Sequence, residues 1–433
     1  MKINSGYLDF FDLDRILSEE NLAVRDSVRE FTNKILLAKP KGFELSLVSE
    51  LYQRGELPLD EKFIFARDKK NEEVIMLRQC LADMGLFQIC LSATMKLAGE
   101  SEKKMESYGA TPGFDYFSYG VAMREIERGD SGIRSFISVQ CGLVMHAIYS
   151  LGSEDQKLKW LPLLASGQKI GCFGATESGS GSNVADYKTK AVKDGKYYIL
   201  NGAKEWITNA AALADIAIIW AKTEDGILRA FIVERGTPGF STSKIEYKNS
   251  MRASDTGCIS LADCRIPEEN ILPIFYPQDT GNKSLLQCFS QARFGIGWGM
   301  IGVAQACYKE AHNFVTLRKV SGGMLDSKQL IQEDFVEMAR LISCMQLMSN
   351  EITMLREQNK MDHEHISMVK MNNCDFAFKV ARIADRIVAS ASITDEVCIG
   401  RHLNNIRAVD TYEGAYNIHK LIVGRALLGK WAL

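Results

Sequence analysis

Residues 200–226 read LNGAKEWITNAAALADIAIIWAKTEDG, a stretch in which turn residues separate short apolar runs. The Asn-Gly pair at its start and the run Ile216–Ala221 are typical of strands joined by tight turns. Further β-branched and aromatic runs lie on either side, at Lys196–Leu200, Ala230–Val233 and Cys258–Leu261. The sequence therefore predicts a compact antiparallel β domain over residues 169–276.

Helical spacing flanks this domain on both sides. In Glu20–Leu36 the apolar residues roughly follow a 3.6-residue period. Beyond the β domain the period returns in long stretches, near 284–316, 327–357, 364–390 and 416–428. Long helices joined by short turns favour a bundle. We therefore predict an α+β protein, with a helical N-terminal domain at 1–168 and a helical bundle at 277–433.

The composition excludes several classes of protein. The chain has 433 residues, and its 52 Lys and Arg against 54 Asp and Glu lack the basic excess of a dedicated nucleic-acid binder. Its eleven cysteines include no Cys-x-x-Cys pair, which indicates a reducing compartment and no disulfide framework. The longest charge-free stretches are too polar or too short to cross a membrane, and the acidic N-terminus lacks the features of a targeting segment. We expect a cytoplasmic protein without membrane insertion.

Two motifs are misleading. Gly297–Gly302 matches the dinucleotide pattern G-x-G-x-x-G, but no predicted strand precedes it, so small residues on a packed helix face are the better interpretation. His363 and His365 have no third ligand at a familiar spacing, which favours a solvated loop and no metal site.

Two further segments suit a flat ring. Residues 171–183, GCFGATESGSGSN, put glycines and hydroxyls on one loop that can approach a phosphate or a ring closely. Trp206-Ile207-Thr208 places an indole and a hydroxyl at a strand end. In isolation, the first segment is more simply explained as a surface turn, and a single tryptophan is by default a core residue.

Residues 411–419, TYEGAYNIH, carry a candidate base. Glu413 is followed directly by Gly414 between two predicted helices, so that a carboxylate and an accessible amide lie together. Such a pair suits removal of a proton next to a carbonyl, with the amide stabilising the oxygen. The simpler alternative is a surface glutamate near a helix cap.

Residues 127–138, ERGDSGIRSFIS, carry a candidate carboxylate clamp. On one continuous helix Glu127, Ser131, Arg134 and Ser138 would share a face. An arginine with nearby hydroxyls binds carboxylates well. The alternative is an exposed Asp130–Arg134 ion pair, worth only tenths of a kcal/mol.

In this order and spacing, the four elements resemble the acyl-CoA dehydrogenase family, most closely its glutaryl-CoA dehydrogenases. The passages at 171–183, 200–226, 291–299 and 410–427 carry the resemblance, which covers roughly residues 115–433. The first hundred residues match poorly and hold insertions near 37–75 and 95–112. The resemblance implies an α domain, a β domain and a four-helix bundle in a homotetramer, with one FAD per subunit and an electron-transfer flavoprotein as electron acceptor.

The resemblance also implies roles for individual residues. Glu413 would remove the α-proton of an acyl-CoA thioester, and Gly414 would polarise its carbonyl. Implied FAD contacts are Phe173, Ala175, Thr176, Ser182, Trp206, Ile207, Thr208, Arg318, Gln329, Ala415 and Asn417, with Arg318 and Gln329 reaching a neighbouring subunit. Implied substrate contacts are Glu127, Arg134, Ser135, Ser138, Ser182, Arg293 and Gly414.

Arg134 and Ser138 match positions that hold the distal carboxylate of glutaryl-CoA. A simple fatty acyl chain would leave a buried Arg134 unpaired, at a cost of roughly a few kcal/mol, whereas a dicarboxylic acyl chain would pair it. We therefore expect oxidation of glutaryl-CoA to glutaconyl-CoA, followed by loss of CO2 to give crotonyl-CoA.

The chain departs from the family pattern in several places. Val320-Ser321-Gly322 replaces Gln-Phe-Gly, Ala389-Ser-Ala-Ser392 replaces Gly-Gly-x-Gly, Ala415 replaces Thr and Asn183 replaces Asp. Side chains in place of glycine can block close approach to a phosphate. Two alternatives therefore stay open: a redox-silent paralogue that binds acyl-CoA or a protein partner, and a specialised dehydrogenase acting on another acyl or carrier-protein thioester.

Overall fold

The computed structural model describes residues 8–37, 72–273 and 282–430. Most of the insertion expected at 37–75 lies outside these ranges. The described chain runs through a helical region, a β-sheet and a second helical region, which confirms the predicted fold class.

The first helical region begins with α1 (Glu19–Phe31), whose start is fixed because the Ser18 hydroxyl accepts a hydrogen bond from the Asn21 amide. The predicted helix at 20–36 continues past α1 as one wider, π-helical turn, Thr32–Leu36. The later helices are α2 (Glu72–Asp83), α3 (Ile89–Leu97), α4 (Glu102–Ser107), α5 (Tyr116–Gly129), α6 (Ser131–Ser138), α7 (His146–Leu151) and α8 (Glu154–Ala165).

The β region holds one seven-stranded sheet. Its strands are β1 (Gly171–Gly174), β2 (Lys190–Asp194), β3 (Tyr197–Thr208), β4 (Ile216–Lys222), β5 (Leu228–Glu234), β6 (Phe240–Lys244) and β7 (Thr256–Pro267). The β2–β3, β3–β7, β6–β7 and β4–β5 pairs are antiparallel, as predicted. The prediction was wrong for β4, which runs parallel to β1 and meets β2 in parallel at one residue pair. Phe173 of β1 and Ile216 and Ile218 of β4 belong to the same buried cluster as residues of the helical regions.

The second helical region matches the predicted stretches closely. It consists of α9 (Asn282–Leu317), a hairpin of β8 (Lys319–Val320) and β9 (Gly323–Met324), α10 (Gln329–Glu357), α11 (His363–Val388), α12 (Ile399–Thr411) and α13 (Tyr416–Leu428). His363 and His365 open α11 rather than lying in a loop, because the Asp362 amide donates to the His365 ring at 3.1 Å. In the described ranges, no three His, Cys, Asp or Glu side chains are grouped as a metal site would require.

Helix α9 is the centre of the molecule, and its glycines are needed for packing. A Cβ at Gly302 would overlap the Arg124 carbonyl, one at Gly299 would overlap the Glu127 carboxylate, and one at Gly297 would meet Val369 at 2.9 Å. The G-x-G-x-x-G motif is therefore a helix-packing face, as predicted. Among the described helices, none combines the length and apolar character needed to cross a bilayer.

Candidate active site

The turn between α12 and α13 presents Glu413 in an unusual backbone conformation. Glu413 has φ 55° and Gly414 has φ 104°, both in the left-handed region. A residue with a Cβ enters this region at an energetic cost, and such residues cluster at functional sites. Because α12 ends at Thr411 and α13 begins at Tyr416, the turn holds the carboxyl group at the junction of two helix ends.

The Glu413 carboxyl group is poised to accept a proton. Its Oε2 is buried and has no hydrogen-bond partner in the described part of the chain. Burial raises the pKa of Glu413 to about 7, although the positive charges of Arg293, Lys370 and Arg134 act in the opposite direction. A carboxylate with this pKa can act as a base near neutral pH. The alternative interpretation as a surface glutamate is wrong.

The main chain of the turn is held by two buried cations. The Arg293 Nε donates to the Glu413 carbonyl at 2.7 Å. The Lys370 Nζ donates to the carbonyls of Tyr412 at 2.8 Å and Gly414 at 2.7 Å, and to that of Asp410 at 3.2 Å. Arg293 was expected to contact the substrate; in the structure its Nε binds the turn that carries Glu413.

The Gly414 amide is free to donate. Across residues 8–37, 72–273 and 282–430 it makes no hydrogen bond, whereas the carbonyl of the same residue accepts from Lys370. A Cβ at this position would meet the His419 Nε2 at 2.9 Å. Glycine is therefore required for space as well as for its positive φ, and its amide can bind an oxygen beside the Glu413 carboxyl group.

Arg134 lies buried beside this turn but is already paired. Its Nε donates to Glu127 Oε2 at 2.9 Å, and its Nη2 donates to the Tyr412 hydroxyl. The expectation of an arginine left unpaired without a second substrate carboxylate was therefore wrong, because Glu127 neutralises it within the chain. Ser135 and Ser138, on the same helix as Arg134, are also buried.

The predicted single helix through residues 127–138 was also wrong. The Asp130 φ,ψ of −162° and 140° end α5 at Gly129, and the Asp130 carboxylate caps α6 by accepting from the Gly132 amide at 2.6 Å. Asp130 is buried and lies 3.5 Å from Arg401, so the alternative of an exposed Asp130–Arg134 pair fails as well. The break between the helices lets Arg134 reach Glu127 across the bend.

Trp206 offers an exposed wall for a planar group. The register between β3 and β7 shifts between Lys204 and Ile207, and Trp206 lies in this irregularity with φ 63°. Its side chain is 58% exposed, which excludes the core-tryptophan alternative. Bulges of this kind redirect side chains next to binding sites. Thr208, two residues on, is half-buried.

The loop after β1 reaches the neighbourhood of Glu413. The Thr176 carbonyl accepts from the Glu205 amide at 2.9 Å, which ties the loop to the strand that carries Trp206. Burial, together with the negative charges of Glu177 and Glu413, raises the pKa of Tyr187 to about 12. Both carboxylates act on the Tyr187 phenol, so Glu413 lies within electrostatic range of the segment that follows this loop.

Phe173, on β1, packs in the protein core and is not an exposed wall for a cofactor ring. It is buried, with its ring 6.0 Å from those of Trp220 and Phe289. Phe289 in turn lies 6.0 Å from the Arg293 guanidinium, so an aromatic chain connects β1 to the catalytic turn. Ala175 is also buried, and Ile207 points into the core of the sheet.

The other residues predicted to contact FAD lie mostly on the protein surface. Ser182 and Asn417 are exposed. Arg318 and Gln329 are exposed at the β8–β9 hairpin, where their side chains make no hydrogen bond or ion pair with the described residues of this chain. Ala415 is the N-cap of α13 and, having no hydroxyl, provides no side-chain cap.

Three further residues belong to the site but were not singled out from sequence. They are Lys370 and Tyr412, described above, and Lys204, whose Nζ donates to the Ala175 carbonyl and to Glu177 Oε1 at 3.0 and 2.8 Å. A signal for Lys370 does exist: it falls four residues after Ile366 and four before Cys374, on the apolar face of α11. A lysine on such a face needs polar partners inside the protein.

The residues present fit a bound flavin. A Cβ at Gly179 or Gly181 would meet nothing within 4 Å, so these glycines face open space; the exposed Trp206 follows Glu205, whose amide donates to the Thr176 carbonyl of the same loop. The partner-free Oε2 of Glu413 provides a base in the same neighbourhood. Fold and site together define a class, the flavin-dependent oxidoreductases built from a helical, a β and a second helical domain.

Comparison with known proteins identifies the family within this class. Sequence models of the N-terminal, middle and C-terminal domains of acyl-CoA dehydrogenases match residues 18–168, 172–264 and 279–428. The chain belongs to the acyl-CoA dehydrogenase family, whose members depend on FAD.

Several characterised relatives are similar over most of the chain. The short-chain specific acyl-CoA dehydrogenase of human mitochondria is 30% identical over 384 residues, which cover 87% of this chain and 92% of the human protein. The crystal structure of glutaryl-CoA dehydrogenase from Mycobacterium smegmatis has a TM-score of 0.84 and 34% identity, covering 97% of both chains. A structure of a glutaryl-CoA dehydrogenase from the same organism, in complex with FADH2, has a TM-score of 0.84 and 35% identity, covering 98% of this chain and 99% of the other.

One departure from the family pattern has a visible structural consequence. Ala389, where the family has glycine, adopts φ 52° and ψ −124° at the end of α11. This combination favours glycine, because a Cβ crowds the backbone there. Ala389 therefore holds a backbone conformation that favours glycine.

Proposed function

We propose that this protein oxidises an acyl-CoA thioester whose acyl chain ends in a carboxylate, with glutaryl-CoA as the first candidate. Glu413 is the base. The observation that carries the proposal is the arrangement at residues 413–414, where a buried, partner-free carboxylate oxygen lies beside a free amide. The similarity to two glutaryl-CoA dehydrogenase structures supports the choice of substrate.

The first step is proton removal at the carbon next to the thioester carbonyl. Glu413 takes this proton as its carboxylate becomes a carboxylic acid, and the Gly414 amide donates to the thioester oxygen on which negative charge develops. FAD, when bound, supplies the redox chemistry by accepting the hydride equivalent from the β carbon. Loss of the α-proton to Glu413 and of the β-hydride to FAD would together leave a Cα=Cβ double bond, a protonated Glu413 and a flavin reduced by two electrons.

The residues that the resemblance implies for FAD binding form two groups. One group would hold the flavin ring within a single chain, and the other is exposed and would contact FAD across a subunit interface. Trp206 and Thr208 at the end of β3, and the loop around Thr176, would hold the flavin ring. Arg318 and Gln329 are exposed, which suits the implied contact with FAD across a subunit interface. Exposed leucines on the second helical region, including Leu317, Leu330 and Leu427, are consistent with a homotetramer.

Arg134 is the proposed partner of the terminal carboxylate of the acyl chain, in addition to its pairing with Glu127. It is buried close enough for its positive charge to lower the pKa of Glu413, and it already binds a carboxylate through Nε. A substrate carboxylate would share this cation with Glu127. For glutaryl-CoA, the γ-carboxylate then leaves as CO2, the conjugated thioester accepts the electron pair, and protonation of the γ carbon yields crotonyl-CoA.

The test compares glutaryl-CoA with butyryl-CoA, which lacks only the terminal carboxylate. FAD-loaded protein is titrated anaerobically with each thioester while the visible flavin band is followed, and the products are identified by mass. We expect bleaching with glutaryl-CoA, crotonyl-CoA as product, and little bleaching with butyryl-CoA. Glu413→Gln should bind glutaryl-CoA without bleaching; a fully active variant would overturn the assignment of the base.

The left-handed Ala389 favours a second candidate, a redox-silent protein that binds acyl-CoA. If side chains at 389–392 keep the FAD diphosphate away, the protein will stay colourless after incubation with FAD while still binding glutaryl-CoA. Bleaching only with other acyl or carrier-protein thioesters would instead identify a specialised dehydrogenase. An electron-transfer flavoprotein is the proposed acceptor, and the cytoplasm is the proposed location.

A further inference from the structure

Lys370 is a buried cation in an apolar helix face. Its side chain is fully shielded from solvent on α11, where it follows Ile366 by one turn. Burial of an ammonium group is costly unless each of its hydrogens finds an acceptor. Lys370 meets that requirement with main-chain carbonyls alone, at 2.7, 2.8 and 3.2 Å.

Those carbonyls belong to the segment that carries the base. The carbonyls of Tyr412 and Gly414 flank Glu413, and the third, that of Asp410, lies in the last turn of α12. The Glu413 carbonyl between them accepts from Arg293 at 2.7 Å. Every carbonyl from 412 to 414 therefore points to a cation on another helix.

This arrangement also acts on the Gly414 amide. The Glu413 carbonyl and the Gly414 N–H belong to one peptide group and point in opposite directions. When Arg293 binds the carbonyl, the N–H points away from Arg293 and is polarised as a donor. Lys370 fixes the next carbonyl, so that the peptide groups on both sides of Gly414 are held.

We propose that Lys370 is a positioning residue for the reaction: by binding three main-chain carbonyls, it holds the Glu413 carboxyl group and the Gly414 amide in their reactive orientation. This inference rests on the proposed role of Glu413 as the base. Lys370 acts through the turn and does not touch the substrate.

The charges around Lys370 agree with this role. Burial lowers the pKa of Lys370, while the negative charges of Asp410 on α12 and of Glu413 favour its protonated form and Arg293 on α9 opposes it. The Cys374 thiol, on the same helix as Lys370, is neutral, because burial raises its pKa to about 12. His419 on α13 is kept neutral because burial lowers its pKa to about 3. The positive charge of Lys370 lowers the pKa of the Glu413 carboxyl group.

The test uses Lys370→Met, Lys370→Arg and a matched control, Lys248→Met. Lys248 is another lysine with main-chain partners, the carbonyls of Met251 and Ser254 at 2.8 and 2.6 Å, but it is not among the cations that act on Glu413. Each variant is purified with FAD, and its flavin content, unfolding midpoint, kcat and KM for glutaryl-CoA are measured. Lys370→Met should lower kcat about 100-fold with little change in KM, because a displaced base loses its alignment.

Two readouts separate positioning from a merely structural role. Loss of the Lys370 charge should move the midpoint of the kcat/KM pH profile upward by about one pH unit. Hydrogen exchange of the amides at 411–416 should become faster. Lys248→Met should change neither, even where it lowers the unfolding midpoint. Wild-type kcat and an unshifted midpoint in Lys370→Met would overturn the proposal.

If Lys370→Met does not fold, Lys370→Arg carries the test. A planar guanidinium keeps the charge but cannot place its N–H groups on the same three carbonyls. We expect faster exchange at 411–416 and lower kcat, with an unchanged pH midpoint; unchanged exchange and kcat would contradict the proposal. The carboxyl titration of Glu413 is also followed by carbon NMR in the apoprotein, with Glu413→Gln for assignment. The wild type could prove inactive with every thioester while the Lys370 variants still change the hydrogen exchange at 411–416 and the titration of Glu413. That result would disprove the proposed function but support the positioning role of Lys370.

Discussion

The Arg134 Nε lies 2.9 Å from Glu127 Oε2, and both side chains are buried at the bend between α5 and α6. Burial raises the pKa of Glu127 above its usual range even though Arg134 opposes the shift. Glu127 therefore neutralises the arginine only as long as it stays ionised. An acidic acyl chain that reaches Arg134 would compete with Glu127, which can then take up a proton.

This pair predicts a loss of substrate discrimination in Arg134→Met. Without the cation, the terminal carboxylate of glutaryl-CoA has no counter-charge, so kcat/KM for glutaryl-CoA should fall about 100-fold, while kcat/KM for butyryl-CoA changes less than about tenfold. The measurement is the ratio of the two kcat/KM values. An equal loss for both thioesters would show that Arg134 does not recognise the acyl terminus.

A stability measurement provides the control for this variant. Breaking a buried pair leaves one uncompensated charge, so Arg134→Met and Glu127→Gln should each lower the free energy of unfolding by about 3 kcal/mol. The double variant should recover most of this loss, because neither charge remains. Urea unfolding of all four proteins gives the coupling energy, and additive losses would argue against a tight pair.

The pH profile of activity should follow the ionisation of Glu413. Its pKa is raised to about 7, and proton removal requires the carboxylate, so kcat/KM should rise with pH below about 7 and reach a plateau above it. At pH 6 the value should be about one tenth of the plateau. A profile that is flat from pH 5 to 8 would contradict this base assignment.

Titration of His419 or of His146 does not account for such a rise. His419, beside the turn, and His146 both have a pKa lowered to about 3 by burial, so they stay neutral across this range. Measuring FAD retention at each pH separates a change in chemistry from cofactor loss.

The sequence was sufficient for the fold class and for the candidate base, but not for the pairing inside the site. The period of 3.6 residues placed α9 to α11 and α13, and the Glu-Gly pair was correctly expected between two helices, where it carries the proposed base. The sequence could not show that Glu127 neutralises Arg134, because their contact depends on the helix break at Asp130. Nor could local pattern show that Phe173 and Ile207 face a core, since that depends on which strand covers them.

Ala389→Gly should stabilise the protein. Relief of the left-handed strain contributes about 1–3 kcal/mol, and the greater freedom of glycine in the unfolded chain offsets about 0.4–1 kcal/mol of it. We therefore expect a gain of about 1 kcal/mol in the free energy of unfolding, together with tighter FAD binding if this turn meets the diphosphate. Urea unfolding and FAD titration measure the two effects.

Ala391→Gly is the matched control, since it lies in the same short helical turn, Ala389–Ile393, without a positive φ. It should lower the free energy of unfolding by about 0.5–1 kcal/mol. If both substitutions destabilise the protein, position 389 does not carry the inferred strain.

Lys204→Met should weaken FAD binding without removing the base. The Lys204 ammonium is buried against Glu177, and it also holds the Ala175 carbonyl at 3.0 Å, so it joins β3 to the loop expected to face the flavin. Its loss leaves the Glu177 carboxylate with only its bonds to Thr189 and the Lys188 amide. We expect the Kd for FAD to rise about tenfold or more, because the loop must be ordered again on binding.

The Glu177→Gln/Lys204→Met double variant separates loop ordering from charge. If the charge of Glu177 alone weakens FAD binding, neutralising it in the double variant restores the Kd; if the link to Ala175 matters, the Kd stays high. The pH midpoint of kcat/KM at saturating FAD should match the wild type in both variants, because Lys204 is not among the cations that act on Glu413. An unchanged Kd in Lys204→Met would show that the loop is held without this lysine, and the flavin wall would then rest on Trp206 and the strand end alone.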